Sequence, residues 1–286
     1  MRVYDENKII RNLGVTKMSK RKTELTEKKI AQMEKEGRGQ GTGENYKPWI
    51  TIQDFPSKGL STRTNGWKTN RIHQFLSKME SDYFYSLEWD QSIVDVQEQF
   101  PLTREDTLHI ATSKGIKHPT DPKSQIPIVM TTDFLITIST STGTTHVART
   151  IKPSKDLENG RTIEKFEIER CYWEDRGIDW GIVTEKELPR SLIENVEWLH
   201  SSYFGIRDMP TSTVDSFLLE MKSYINRSNS SIMEVVSEFD QLFNLEPGTG
   251  LDLLKHLIAR KVLHVNIHQK IHTHLWIEDV FEIDTK

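Results

Sequence analysis

The sequence predicts an α/β protein: a mixed β-sheet flanked by helices, followed by an α-rich domain with a winged-helix outline. Three observations carry that expectation. Short runs rich in Ile, Val and Thr are interspersed with amphipathic helical stretches between about residues 49 and 188. Two of those runs, Thr132 to Thr140 and Thr145 to Ile151, flank Ser141-Thr142-Gly143-Thr144, which reads as a turn. After Pro189 the pattern becomes helical and closes on two short alternating runs around His268-Gln269-Lys270.

At 286 residues the chain suffices for one large domain or two ordinary ones. Hydrophobic residues make up 35% and charged residues 28%, a balance suited to a globular protein with a polar surface. No apolar run approaches the roughly 20 residues that span a bilayer. Met1 to Arg11 contains Asp5, Glu6 and Lys8 and lacks an apolar core, so a signal peptide is not expected. The single cysteine, Cys171, excludes an internal disulfide and a cysteine zinc cluster, and a reducing cytoplasm is the expected location. The net charge of −4 hides an asymmetry: residues 1–73 hold 16 Lys/Arg against 8 Asp/Glu, whereas the whole chain holds 38 against 42. Such a segment is either a solvated basic arm, which composition alone favours, or a local contact with a polyanion.

Taken in order, residues 19–36 read as a polar helix with Leu25, Ile30 and Met33 on one side. Gly37-Arg38-Gly39-Gln40-Gly41-Thr42-Gly43 ends it as a flexible loop. No Gly-Lys-Ser/Thr follows, so the loop is not a nucleotide cradle; it is expected to lie along a phosphate backbone through Arg38 and its amides. Trp49 to Ile52 reads as a short strand, broken by Pro56 and Gly59. Lys68 to Ser86 follows a helical period through Ile72, Phe75, Leu76, Met79 and Tyr83. Ile93 to Phe100 alternates as a half-buried strand stopped by Pro101, and a loop with Gly115, Pro119, Pro122 and Pro127 follows. The two β runs come next, then an amphipathic helix over 161–176 and a short buried strand, Trp180 to Thr184. Helices are expected at Ser191 to Leu199, Val214 to Ile225, Ile232 to Phe243 and Gly250 to Arg260. Leu263 to Ile267 and Ile271 to Ile277 alternate as a hairpin wing. The expected division is 1–47, a basic helix and glycine-rich arm; 48–188, a catalytic domain; and 189–286, a winged-helix domain.

The chemistry sits on the two β runs. Asp133 stands at the mouth of an otherwise apolar strand, and Lys152 near the end of the next, nineteen positions later. A carboxylate and an amine at one sheet edge can bring a divalent metal and a charge-stabilising cation to one scissile phosphate. That is what a hydrolytic nuclease needs. Taken alone, such a pair more often marks a solvent-facing edge. Glu80, at the end of the apolar positions of the predicted helix, either turns its carboxylate toward the same edge or stands as a surface glutamate.

Ordered matches add to this reading. Gly37-Arg38-Gly39-Gln40-Gly41, Leu76-Ser77-Lys78-Met79-Glu80, Ser86-Leu87-Glu88-Trp89-Asp90 and Asp95 to Leu102 (Asp-Val-Gln-Glu-Gln-Phe-Pro-Leu) resemble the TnsA family, the endonuclease subunit of heteromeric cut-and-paste transposases. The resemblance continues through Gly115 to Pro119, Thr132-Asp133-Phe134-Leu135, Lys152-Pro153, Glu164-Lys165 and Glu167 to Trp173, and fades after about residue 200. It implies a restriction-endonuclease-like core in which the catalytic glutamate falls on Glu80, the metal-binding aspartate on Asp133 and the lysine on Lys152. It further implies Mg²⁺ or Mn²⁺ held by Glu80, Asp133 and the Ile151 carbonyl. The family often shows Gln-x-Lys where this chain has Thr150-Ile151-Lys152, so Thr150 offers a shorter oxygen and its place in the site is open. Glu169 matches a family acid and fits a surface ion pair with Arg170 or Lys165 equally well. The implied target is the 5′ end of each transposon strand, with a DDE transposase (TnsB-like) cutting the 3′ ends and an ATP-dependent AAA+ regulator (TnsC-like) engaging the C-terminal domain.

Arg38, Arg63, Lys68 and Arg71 are the expected phosphate contacts. The Gly250 to Arg260 helix stands where a recognition helix would, yet it offers only Lys255, Arg260 and Lys261 as nearby cations, so protein binding is favoured over base reading. His264, His268, His272 and His274 crowd the predicted wing, as a solvated face, a partner or DNA contact, or a zinc site. A non-catalytic DNA- or protein-binding regulator and a stand-alone restriction enzyme remain the alternative functions.

Overall fold

In the computed structural model, residues 24–54, 61–205, 209–227 and 230–281 are described. Helix α1 (Glu27–Lys35) precedes a two-stranded antiparallel ribbon, β1 (Thr62–Asn65) and β2 (Ile72–Phe75). Then come α2 (Lys78–Trp89), β3 (Ile93–Pro101), α3 (Arg104–Ser113), β4 (Thr131–Thr140) and β5 (Gly143–Ile151). Helix α4 (Gly160–Glu174) leads into β6 (Asp179–Val183), and α5 (Arg190–Leu199), α6 (Thr211–Arg227), α7 (Ile232–Leu242), α8 (Thr249–Ala259) and the single turn α9 (Ile277–Val280) complete the chain.

The central sheet has the order β3-β4-β5-β6. The first three strands form an antiparallel meander, while β6 joins β5 in parallel through the α4 crossover. Alternating side chains feed two cores. On one face Phe134, Ile136, Val96 and Ile151 pack with Phe84 and Leu87 of α2 and Ile193 and Val196 of α5. On the other, Leu135 and Ala148 pack with Ile168, Tyr172 and Trp173 of α4 and Ile110 of α3. The first core runs without a break into Val236, Leu253, Leu254 and Ile258 of the C-terminal helices, so the segments on either side of residue 189 share one apolar interior. No helix among the described residues is long and apolar enough to cross a membrane.

The strands of the central sheet lie within two residues of their sequence-predicted bounds, whereas several other elements differ. The helix expected over Lys68 to Ser86 starts only at Lys78, because Ser77 caps it; residues 72–75 instead form β2, with Ile72 exposed and His73 and Phe75 buried in strand alternation. Asn70, at φ 53°, turns the chain between β1 and β2. Helix α3 lies where a loop was expected; Glu105 and Asp106 in its first turn suit its N-terminus. Trp49 to Ile52 is no strand: Trp49 packs on Ile30 and Met33 of α1, and its N–H donates to Gln99 O (3.2 Å). The polar helix is α1, capped by Thr26, and the part of its prediction before residue 24 lies outside the described residues, as do Pro56 and Gly59.

The glycine-rich loop is hydrogen-bonded into the fold, with Gln40, Gly41 and Thr42 exposed. Gln97 Nε2 donates to Gly41 O (2.9 Å), Gly43 N–H to Asp95 Oδ2 (3.0 Å) and Arg71 Nε to Gly43 O (3.1 Å), docking the loop on β3. Gly39 sits at φ 75°, and a Cβ there would meet Pro101 Cγ at 2.2 Å. Gly39→Ala is therefore expected to lower stability by about 2–4 kcal/mol, from the left-handed backbone and the clash together. A denaturant titration reads this out; a change below about 0.5 kcal/mol would mean the loop is not docked as described.

The predicted wing is not a hairpin. Between 263 and 281 the described residues make two isolated bridges, Ser231↔Trp276 and Val265↔Phe281, and no ladder with each other. Asn195 of α5 takes over the polar groups a partner strand would satisfy: its Nδ2 donates to Ile267 O and Gln269 O (both 2.8 Å), and Ile271 N–H donates to its Oδ1 (2.9 Å). The expected helices stand without the expected wing.

Candidate active site

Glu80 owes its position to a helix start. Ser77 Oγ accepts the Glu80 N–H (3.2 Å), and the Glu80 carboxylate turns back to accept Leu76 N–H (2.9 Å) and Ser77 Oγ–H (2.8 Å). This reciprocal capping folds the side chain along the first turn of α2 and into the protein, where it is only 7% exposed. Burial, then the negative charge of Asp133, pushes its pKa up to about 7.

Asp133 completes the β4–β5 junction with its side chain. The register of this pair ends at Phe134↔Arg149, and one residue further Asp133 Oδ2 accepts the Ile151 N–H (2.7 Å). Its Oδ1 accepts from Gln99 Nε2 (3.0 Å). Part of its surface opens on a cleft, yet the surrounding protein pushes its pKa up, while Ile151, Gln99 and Lys152 oppose the shift.

Glu169 closes the site from behind. It is not in a surface ion pair: Arg170 pairs with Glu167 and Glu174 (both 2.8 Å), and Glu169 is 3% exposed on the sheet-facing side of α4. Thr132 Oγ1 (2.7 Å) and Thr150 Oγ1 both donate to its Oε1, and Trp173 Nε1 donates to Thr132 (2.7 Å). Burial pushes its pKa up to about 7, opposed by the two threonines and reinforced by Asp133. Thr150 thus spends its hydroxyl on Glu169.

Lys152 leaves β5 with its backbone N–H on Val183 O of β6 (3.0 Å), which fixes its origin. Its side chain is 35% exposed, with Asp156 Oδ2 at 3.8 Å. Glu80, Asp133, Thr150, Ile151, Lys152 and Glu169 all line one open cleft of about 320 Å³, shared with Thr131, Lys165 and Phe166. The three residues singled out by sequence come from α2, β4 and the end of β5, and the fold brings them together.

The donor chemistry suits a hard cation. Two neighbouring carboxylates, Glu80 and Asp133, are raised in pKa by burial and, for Glu80, by mutual repulsion, the electrostatic condition a bound divalent ion relieves. Among the described residues no three His, Cys, Asp or Glu side chains are grouped to hold an ion, so side chains alone do not complete a coordination shell here. The same holds for the C-terminal histidines, of which His272 and His274 stack on each other at 5.2 Å.

Gln99 escaped the sequence reading. It is 3% exposed, sits at φ 50° inside a paired strand, and its amide donates to Asp133. Positive φ at a non-glycine residue leaves no trace in periodicity. The Ser77-x-x-Glu80 capping pattern was the legible signal for the true start of α2.

The expected phosphate contacts divide. Arg71 is buried, with both terminal nitrogens on Glu98, Nη1 at 2.8 Å, and Nη2 also on Val96 O (2.8 Å), so it belongs to the core. Arg38 is tied to Asp54 (2.6 Å), Glu36 (3.0 Å) and Trp49 O (3.1 Å). Lys68 Nζ donates to Asp90 O (2.6 Å) at the far end of α2, about 18 Å from the Glu80 end at 1.5 Å rise per residue over its 12 residues. Arg63 is exposed on β1. On α8, Lys255 lies over the Trp198 ring (5.2 Å), and Arg260, just past its end, over Tyr203 (4.6 Å).

A family model described as TnsA-like endonuclease N terminal matches residues 90–185, which include Asp133, Lys152 and Glu169, and one described as TnsA endonuclease C terminal matches residues 187–267. The transposon Tn7 transposition protein TnsA of Escherichia coli is 38% identical over 257 residues, 88% of this chain and 90% of that protein. With that extent of identity, and a family model on each side of residue 186, the chain belongs to the TnsA endonuclease family.

Proposed function

We propose that this chain is the endonuclease subunit of a cut-and-paste transposase, hydrolysing phosphodiester bonds at the 5′ ends of its element in a Mg²⁺- or Mn²⁺-dependent reaction. The observation that carries the reading is the convergence of Glu80, Asp133 and Lys152 on one cleft. Glu80 and Asp133 would hold the ion together with the Ile151 carbonyl. When bound, the ion polarises the scissile phosphate and lowers the pKa of an attacking water. The Lys152 ammonium neutralises charge as it develops on the phosphate and orients that water; to act as the base instead, the side chain would start as the neutral amine and take up the water proton. Hydrolysis forms one P–O bond to the water oxygen and breaks one to a sugar oxygen, which leaves with a proton. Glu169, held by Thr132 and Thr150, braces the sheet beside Asp133.

Partners follow from the family. Transposon-end DNA is the substrate, with Arg63 the best-exposed of the expected phosphate contacts. A DDE transposase cuts the 3′ ends, and an AAA+ regulator engages the helices after residue 189. The test is co-expression with a TnsB-like transposase, followed by mapping of both cut ends. Cuts at 5′ ends that vanish with Asp133→Ala support the reading, whereas 5′ cuts that persist unchanged in that variant overturn it. A stand-alone nuclease would cut without the partner. A non-catalytic regulator would leave 5′ ends intact in every combination, and the presence of all three site residues weighs against it.

A further inference from the structure

We propose that Gln99 is a positioning residue that locks Asp133 into one ion-binding orientation beside Glu80, and that the left-handed backbone at this point exists to aim its amide. The proposal rests on the endonuclease reading of the cleft.

The backbone argument comes first. Gln99 has φ 50° in the middle of β3, between the register pairs Glu98↔Phe134 and Phe100↔Thr132. A non-glycine residue in this region costs about 1–3 kcal/mol, so the surrounding structure must hold it there. The conformation reverses the pleat. Val96, before it, packs in the core under α2, whereas Phe100, two positions after Glu98, packs against Trp173 on the α4 side. Strict alternation would place 96, 98 and 100 on one face. Both flanks are anchored. Glu98 is clamped by Arg71, His73 (2.8 Å) and Gln74 N–H (3.1 Å), and the Gln99 carbonyl accepts Trp49 N–H (3.2 Å).

The side chain then has one orientation available. Thr131 Oγ1 donates to Gln99 Oε1 (3.1 Å), which fixes the amide so that Nε2 faces the Asp133 carboxylate. That nitrogen donates to Asp133 Oδ1 (3.0 Å), while the other Asp133 oxygen accepts the Ile151 N–H (2.7 Å). A neutral donor fixes this carboxylate without cancelling its charge. That charge, beside Glu80 in the same cleft, is left for a cation. Such outer partners typically change metal affinity or activity by about 10–100-fold when removed.

Gln99→Gly separates this role from a structural one, because glycine accepts φ 50° without strain while losing the amide. Mn²⁺ binding, measured by electron paramagnetic resonance on the full chain without DNA, is expected to weaken about 10–100-fold. The melting temperature without metal should stay equal or rise, and cleavage at saturating DNA should fall with the apparent affinity for DNA unchanged. Gln99→Glu retains an acceptor for Thr131 but adds a third negative charge in place of the donor, and should not restore wild-type Mn²⁺ affinity. Wild-type Mn²⁺ affinity and cleavage in Gln99→Gly would overturn the positioning role alone. A wild-type protein that binds no Mn²⁺ would overturn the reading of the cleft and this inference with it.

Discussion

Lys152→Ala is expected to lower 5′-end cleavage by about 10³-fold, roughly 4 kcal/mol of lost transition-state stabilisation, without disturbing the fold. The two halves of that expectation have separate grounds. Lys152 begins where β5 meets β6, so its origin is fixed by the sheet, and it lines the cleft with Glu80 and Asp133. It is the residue among these three that brings positive charge to a phosphate. Its contribution to folding is small: its ion pair with Asp156 spans 3.8 Å between side chains 35% and 43% exposed, a pair of the kind worth about 0–1 kcal/mol. The measurement is a single-turnover cleavage assay in the assembled complex beside a thermal melt. Lys152→Arg keeps the charge but replaces a compact ammonium with a planar fork, so only partial activity should return. Cleavage by Lys152→Ala at the wild-type rate would remove the residue from the mechanism.

The largest expected effect on stability belongs to Arg71→Met. Glu98 is fully buried and faces Arg71 and His73, and their charges and hydrogen bonds hold its carboxyl down at about 2 against the cost of burial. Methionine keeps much of the apolar stem and removes the guanidinium, leaving a buried carboxylate short of its main partner. Breaking such a pair costs about 3–5 kcal/mol, which for a chain of this size lowers the melting temperature by about 5–8 °C. Arg71→Met with Glu98→Gln should recover much of the loss, because no uncompensated charge remains. The pH dependence follows the same group. A depressed carboxyl contributes stability that is fully present above its unfolded value of about 4.5 and is lost as pH falls toward 2. In Arg71→Met this acid loss should shrink, because the carboxyl is no longer held as far below its unfolded value. A variant that melts like the wild type and only binds DNA less well would restore Arg71 to the phosphate contacts.

These two residues also show how far the sequence reached. Lys152 and Asp133 were legible because both flank apolar, β-branched runs, and a period of two places strands to within a residue or two. Glu80 was singled out on a helix drawn ten residues too early. Ile72, Phe75 and Met79 satisfy a spacing of three and four although β2 and α2 divide them at Ser77. Arg71 was assigned to DNA on charge alone, and nothing local announces that Glu98, twenty-seven positions on, takes its guanidinium. Glu169 could be read as exposed or buried because its sequence neighbours Glu167 and Arg170 are partly exposed on the same helix.

By itself the sequence determined the element types of the central sheet and the helical character of the chain after Pro189, and its ordered matches pointed to the family and to the three side chains proposed for the site. Those depend on periodicity, propensity and residue identity, which are local. Tertiary structure alone decided which cations are free, which carboxylates are desolvated, and that Asn195 replaces the partner strand of the expected wing. It also decided that Gln99 adopts a left-handed conformation to reach Asp133. Each of these depends on a partner distant along the chain, and burial sets the sign and size of the electrostatic effect only once that partner is in place.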